Sequence, residues 1–172
     1  READLHKGMR ILDAGCGIGG PARMLANEFG CHVTGIDITK EFIETAKLLT
    51  RLVGLEDIVE YMHGDVLDIP FENERFDIVW TQHVQMNIRH KEKFYAEINR
   101  VLHPAGRLIY YDILTQSHEN PIYPVPWAND NSISFLATPA SIHELLVKEG
   151  FKKINTKDHT KEGIQFLSSL TD

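Results

Sequence analysis

ILDAGCGIGGPARMLANEFG occupies residues 11–30. An apolar run ends at Asp13, and Gly15, Gly17, Gly19 and Gly20 then crowd into six positions. GPARMLANEF follows, with Met24, Leu25 and Phe29 spaced for one helical face. The reading is strand, glycine turn, helix. A glycine turn lets backbone approach a ligand without a Cβ in the way. It also sits beside the unsatisfied N–H groups of a helix start. Gly15-x-Gly17-x-x-Gly20 fits the dinucleotide fingerprint. Asp37 lies 22 positions after Gly15 (37 − 15), at the end of the next strand-like run, HVTGIDI. An acid there can accept hydrogen bonds from both hydroxyls of a ribose. The stretch therefore points to a cofactor that contains a nucleoside.

The rest of the chain alternates in the same way. Strands are expected at 9–15, 32–38, 58–65, 76–82 and 107–114, with a sixth at 151–160. Helices are expected at 20–29, from a Thr39 cap through Leu52, at 91–102 and at 139–150, and KEGIQFLSSLTD reads as one more. The second helix is expected to bury Phe42, Ile43, Ala46, Leu49 and Leu52, and the third Phe94, Ile98, Val101 and Leu102. The turn HPAG stops the third helix, with His103 on the surface. Residues 115–138 read as a long irregular stretch. The alternation implies an α/β fold: one doubly wound, mostly parallel sheet covered on both faces, with ligands at the carboxyl ends of the strands.

Composition narrows the function. The 172 residues carry a net charge of −7 without a Lys/Arg cluster, which argues against nucleic acid as a partner. No apolar run approaches a membrane span, and the opening READLHKG does not read as a signal peptide. Two cysteines, Cys16 and Cys31, make no disulfide scaffold and fit a reduced, cytoplasmic protein. No metal-ligand spacing is found.

Asp13 bears on the choice of cofactor. A dinucleotide places its pyrophosphate at the helix N-terminus, and a carboxylate just before the turn would repel it. S-adenosylmethionine has no phosphate. Its α-ammonium suits Asp13, its ribose suits Asp37, and its adenine suits the GDV of residues 64–66. There the Asp65 carboxylate can accept from the adenine amino group and the Val66 N–H can donate to a ring nitrogen.

Five motifs then occur in order: LDAGCGIGG, GIDIT, GDVLDIPF, FDIVWTQ and RVLHPAGRLIYYDI. Together they resemble the class I S-adenosylmethionine-dependent methyltransferases. Within that family the chain looks most similar to small-molecule enzymes of the sarcosine/dimethylglycine, phosphoethanolamine, sterol and ubiquinone/menaquinone type. The resemblance implies a Rossmann-like methyltransferase core, with S-adenosylmethionine as methyl donor and S-adenosylhomocysteine as product. It implies a cofactor site from Asp13, Gly15, Cys16, Gly17, Gly19, Asp37, Ile38, Asp65 and Val66, with Thr81 and Gln82 at the end of strand four. Cys16 is small enough to lie against the cofactor and is not read as a catalytic thiol. Members usually carry lid helices before strand one and an antiparallel seventh strand between strands five and six. Neither is visible in residues 1–172, so the expectation is one catalytic core domain that is part of a longer chain.

Methyl transfer is a direct SN2 displacement at a carbon activated by sulfonium. The protein aligns the acceptor and excludes water, and a base is needed only for a protonated nucleophile. The acceptor is expected to be a small molecule, with an amine nitrogen favoured over oxygen or carbon. Candidate catalytic groups are His83 and Asp112. His83 could equally be a pocket wall, and Asp112 could equally anchor a strand end. His83, Met86, Asn87, Tyr123 and Trp127 are the substrate-side candidates, the last two as part of an aromatic cage for an amine. The charges of 91–100 read as a solvated helix face. Two other readings of the turn are an NAD-binding oxidoreductase or epimerase domain, and a non-catalytic S-adenosylmethionine-binding module.

Overall fold

Short runs that are buried on both faces can only be satisfied by a sheet with helices on each side. A computed structural model, which describes residues 4–116 and 121–169, shows that arrangement. The elements are β1 (Arg10–Ala14), α1 (Gly20–Phe29), β2 (His32–Asp37), α2 (Lys40–Leu52), β3 (Val59–His63), β4 (Phe76–Gln82), α3 (Lys91–Val101), β5 (Leu102–Tyr111), α4 (Pro139–Lys148) and α5 (Thr160–Ser169). Two single 3-10 turns lie at Gln85–Asn87 and Asn131–Ile133.

The strands pair in the order β3-β2-β1-β4-β5, every neighbour parallel. Asp13 of β1 lies opposite Gly35 of β2 and Trp80 of β4. The chain winds outward from β1 through β3, then returns to the other side of β1 for β4 and β5. That reversal opens a crevice at the carboxyl ends of β1 and β4. The glycine turn follows one of these strands and the His83–Asn87 loop follows the other.

Successive side chains along a strand face opposite ways, so the sheet divides the core in two. Ile11, Val33 and Ile78 pack with Leu25, Ala26, Ile43 and Ala46 of α1 and α2. Leu12, Ile36 and Val79 pack with Phe94, Ile98, Val101 and Ile142 of α3 and α4. The α3 face is the one expected from its spacing, Leu102 included.

Other expectations need correction. In α1 the buried face is Ala22, Leu25 and Ala26, and Met24 is exposed. In α2 the buried residues are Ile43, Ala46 and Thr50, while Phe42 and Leu52 face solvent. Small residues let these helices lie close to the sheet, so the larger apolar ones at the margin stay outside. Thr39 holds the cap position of α2 without a side-chain capping bond. Leu102 pairs with Phe76 and Arg107 with Ile78, so HPAG is a bulge inside β5 rather than a turn before it. Residues 151–159 form no strand: the segment is almost wholly exposed and Ile154 is 80% exposed. A strand needs a neighbour, and among the described residues none lies beside this one, nor is there a seventh strand. KEGIQFLSSL is helical as far as Ser169, and the expectation for residues 170–172 lies outside the described residues.

The corrected face of α2 can be tested by urea denaturation. Ile43→Ala should cost about 2–5 kcal/mol, because Ile43 is 2% exposed. Leu52→Ala should stay within about 0.5 kcal/mol. Equal losses would contradict the burial assignment.

Candidate functional site

The glycine turn is built from backbone. Gly15, Gly17 and Gly19 have φ of 79°, 53° and 77°, in the left-handed region that costs other residues energy. Gly15 and Cys16 donate their N–H groups to the Ile36 carbonyl, at 2.8 and 3.0 Å, which lashes the turn to β2. A Cβ on Gly19 would run into the Tyr61 hydroxyl, and one on Gly15 into Val84. Tyr61 props the turn from beneath, donating to the Gly19 carbonyl at 3.3 Å and accepting from Thr50. At Gly17 and Gly20 an added Cβ would meet nothing within 4 Å. The turn is held from below and bare above.

Two carboxylates flank it. Asp37 accepts from the Gly17 N–H at 2.8 Å and from the Thr39 N–H at 2.9 Å, one on each oxygen. Each oxygen keeps capacity for a further donor. Asp13 is 1% exposed, and its Oδ2 has no hydrogen-bond partner. Burial pushes Asp13 up to about 7; hydrogen bonding from Ala22 opposes the rise and Asp37 adds to it. A buried carboxylate oxygen without a donor is costly and rare. Burial also pushes the Cys16 thiol up, with Asp13 and Asp37 adding, so it is an inert wall of the turn.

The other expected cofactor residues fall around the same crevice or beneath it. Ile38 follows Asp37 and presents a 67% exposed apolar side chain. Asp65 is half-buried and closes a small turn by accepting from the Leu67 N–H. Val66 is buried, which leaves its backbone as the part able to bind. Gln82 is half-buried at the end of β4. Thr81 is 0% exposed at the end of β4, its hydroxyl buried and without a hydrogen-bond partner.

On the acceptor side the structure re-sorts the candidates. His83 is exposed and has a left-handed φ of 56°, strain that a non-glycine residue keeps only where surroundings impose it. Its N–H donates to the Tyr111 carbonyl and its ring meets Tyr111 edge-on at 5.1 Å. Asp112 accepts from the Val84 and Gln85 N–H groups, both at 3.0 Å, and from Ile113. Burial holds its pKa above the usual carboxylate range, while the backbone donors and His83 oppose that rise. Of its two readings, anchor is the one the geometry matches. Met86 is 5% exposed and packs inside. Asn87 spends its amide N–H groups on the Trp127 and Ile133 carbonyls. Trp127 donates to Ser134, the Tyr123 hydroxyl is buried without a partner, and no ring contact joins the two among the described residues. The Tyr123 and Trp127 rings thus do not pack on one another. Ring contacts instead run from His83 to Tyr111 to His159. An open cleft of about 390 Å³ is lined by Tyr111, His159, Glu162, Gly163 and Phe166.

Tyr61, Val84 and Lys91 are the supports the sequence reading missed. The charge pattern of 91–100 places Lys91 on a solvated face, yet it is only 9% exposed. Periodicity along one helix cannot show that three backbone carbonyls from elsewhere converge on its end. Among the described residues no group of three or more His, Cys, Asp or Glu side chains could hold a metal ion. None of the helices there is long and apolar enough to cross a membrane.

Known proteins share the sequence pattern and the fold. The chain is 29% identical over 157 residues to a glycine/sarcosine/dimethylglycine N-methyltransferase of Actinopolyspora halophila, covering 91% of this chain and 28% of that protein. Its fold matches Haemonchus contortus phosphoethanolamine N-methyltransferase 2, solved with phosphomonomethylethanolamine and S-adenosylhomocysteine. The TM-score is 0.84 at 26% identity, over 98% of this chain and 39% of that one. It also matches the cyclase SpnF with a TM-score of 0.78 at 25% identity, over 88% of this chain and 53% of that one. The chain thus spans about half, or less, of the length of each of these relatives. The methyltransferase domain model matches residues 12–110, from β1 to β5, which is more than half of the 172 residues. The chain belongs to the class I S-adenosylmethionine-dependent methyltransferase family.

Proposed function

We propose that the chain is the catalytic core of an enzyme that transfers a methyl group from S-adenosylmethionine to a small molecule. The observation that carries this reading is the bare glycine turn between two carboxylates, one of them buried with an unpaired oxygen. The residues fit the cofactor. Asp13 would take its α-ammonium, Asp37 its ribose hydroxyls, and Asp65 with the Val66 N–H its adenine. Ile38 offers apolar surface beside Asp37. The bound cofactor supplies a methyl carbon already activated by the sulfonium. What remains for the protein is alignment and exclusion of water. His83, at the end of β4, is the group able to hold or take a proton from a protonated acceptor.

An amine nitrogen is the proposed methyl acceptor, ahead of oxygen or carbon. The cleft beside His83 supports it, since the rings of Tyr111 and Phe166 and the Glu162 carboxylate suit a cation. The net charge of −7 supports a small-molecule rather than a nucleic-acid partner, and two free buried thiols support a cytoplasmic setting. We also take residues 1–172 as one S-adenosylmethionine-binding core domain.

A second reading is use of this fold and cofactor pocket without methyl transfer, which the likeness to a protein named as a cyclase favours. NAD is opposed by Asp13, because a pyrophosphate at the start of α1 would face that carboxylate.

Calorimetric titration of the chain with S-adenosylhomocysteine, with NAD in parallel, tests the cofactor. S-adenosylhomocysteine should bind and NAD should not, and Asp37→Ala should weaken binding by about 1–3 kcal/mol. Binding of NAD alone would overturn the reading.

The raised Asp13 pKa gives a pH test. Protonation stabilises the free fold below the unfolded-state value, and that contribution fades as pH rises through about 7. Binding of an ammonium group needs the ionised form. Affinity for S-adenosylhomocysteine should therefore fall as pH drops below about 7, and Asp13→Asn should bind weakly with a flat profile. A pH-dependent Asp13→Asn profile like that of the parent would contradict the role of Asp13.

A further inference from the structure

Lys91 stands in a place where a lysine is doubly disfavoured. It is the first residue of α3, at the helix end that repels cations, and it is 9% exposed. The structure shows what offsets this. Its Nζ donates to the carbonyls of Gln85, Ile88 and Phe135 at 2.6, 2.7 and 2.6 Å, which engages all three ammonium protons. Charge-assisted bonds of this length are the strong kind.

The three carbonyls belong to two different segments. Gln85 and Ile88 frame the 3-10 turn after β4, and Phe135 belongs to the irregular stretch before α4. Three further bonds join the same segments: Phe135 N–H to the Met86 carbonyl at 2.7 Å, and the Asn87 amide to the Trp127 and Ile133 carbonyls. On its other side the turn is gripped by Asp112, which accepts from Val84 and Gln85. The Gln85 unit is thus held between an anion on its N–H and a cation on its carbonyl. Val84, one residue earlier, is the side chain that presses on Gly15. A continuous set of contacts runs from the glycine turn through Val84 and Gln85 to Lys91, and from there to residues 127–135.

We propose that Lys91 is a positioning residue for methyl transfer, whose ammonium locks segment 127–135 onto the turn after β4 and so links occupancy of the glycine turn to ordering of that segment. The inference rests on the cofactor reading above. Lys91 touches neither reacting group. It fixes segment 127–135 in register with Val84, the side chain against Gly15, a coupling between two regions through one shared element.

Amide hydrogen exchange with and without S-adenosylhomocysteine tests this. In the unaltered chain the ligand should slow exchange in the glycine turn and also in residues 127–135, by about fivefold or more. In Lys91→Met the slowing should be confined to the glycine turn, and Lys91→Arg should restore part of the linked effect. A folded Lys91→Met that still transmits protection to 127–135 would overturn the proposal, as would protection of the turn alone in the unaltered chain. Should Lys91→Met fail to fold, Asn87→Ala takes its place. It cuts the amide bonds to Trp127 and Ile133 and leaves Lys91 intact, so linked protection must survive, and its loss would overturn the assignment to Lys91. Absence of any protection by the ligand would overturn the cofactor reading together with this one.

Discussion

The backbone of Gly15–Gly20 must bend through three left-handed residues while Tyr61 packs against Gly19 and Val84 against Gly15. Nearly everything at the carboxyl edge of the sheet serves that constraint. Ile36 takes two of its N–H groups, and Asp37 takes a third. The parallel strands on either side keep these partners in register, with Asp13 opposite Gly35 and Trp80. Side chains at Gly15 or Gly19 would collide with the supports, whereas the upper side at Gly17 and Gly20 stays free. A turn so held is preorganised, and a ligand that settles on it need not order the loop first.

The same geometry explains the electrostatics. Asp13 sits at the carboxyl end of the central strand, sealed from water and short of a donor. Burial raises its pKa to about 7, so near neutral pH the carboxyl is divided between its protonated and ionised forms, and a cation would draw it to the ionised one. Phosphate would not stabilise it, whereas an ammonium would. The loop after β4 is organised differently, by charge on backbone: Asp112 gathers N–H groups and Lys91 gathers carbonyls, so the loop is fixed without a ladder of its own.

Much of this was legible in the sequence, for particular reasons. The five parallel strands, α3 and its buried face follow from apolar runs and periodicity, and Asp37 follows from its distance to the turn. The face of α2 was not legible, because apolar character at Phe42 and Leu52 says nothing about which side meets the sheet. Residues 151–159 failed as a strand because pairing, not pattern, makes one. Of the site, the backbone-driven half could be read, since glycine spacing reports turn geometry directly. The side-chain-driven half could not. Thr81 and Met86 lie at positions that look exposed by order along the chain but point into the core, and Asn87 and Lys91 are spent on carbonyls distant in sequence.

A crystal structure of the chain with S-adenosylhomocysteine is the most direct test of the central claim. The ligand should lie over Gly17 and Gly20, with its ammonium within hydrogen-bonding distance of Asp13 and its ribose hydroxyls on Asp37. A ligand bound elsewhere, or one whose ammonium points away from an Asp13 still unpaired, would contradict it.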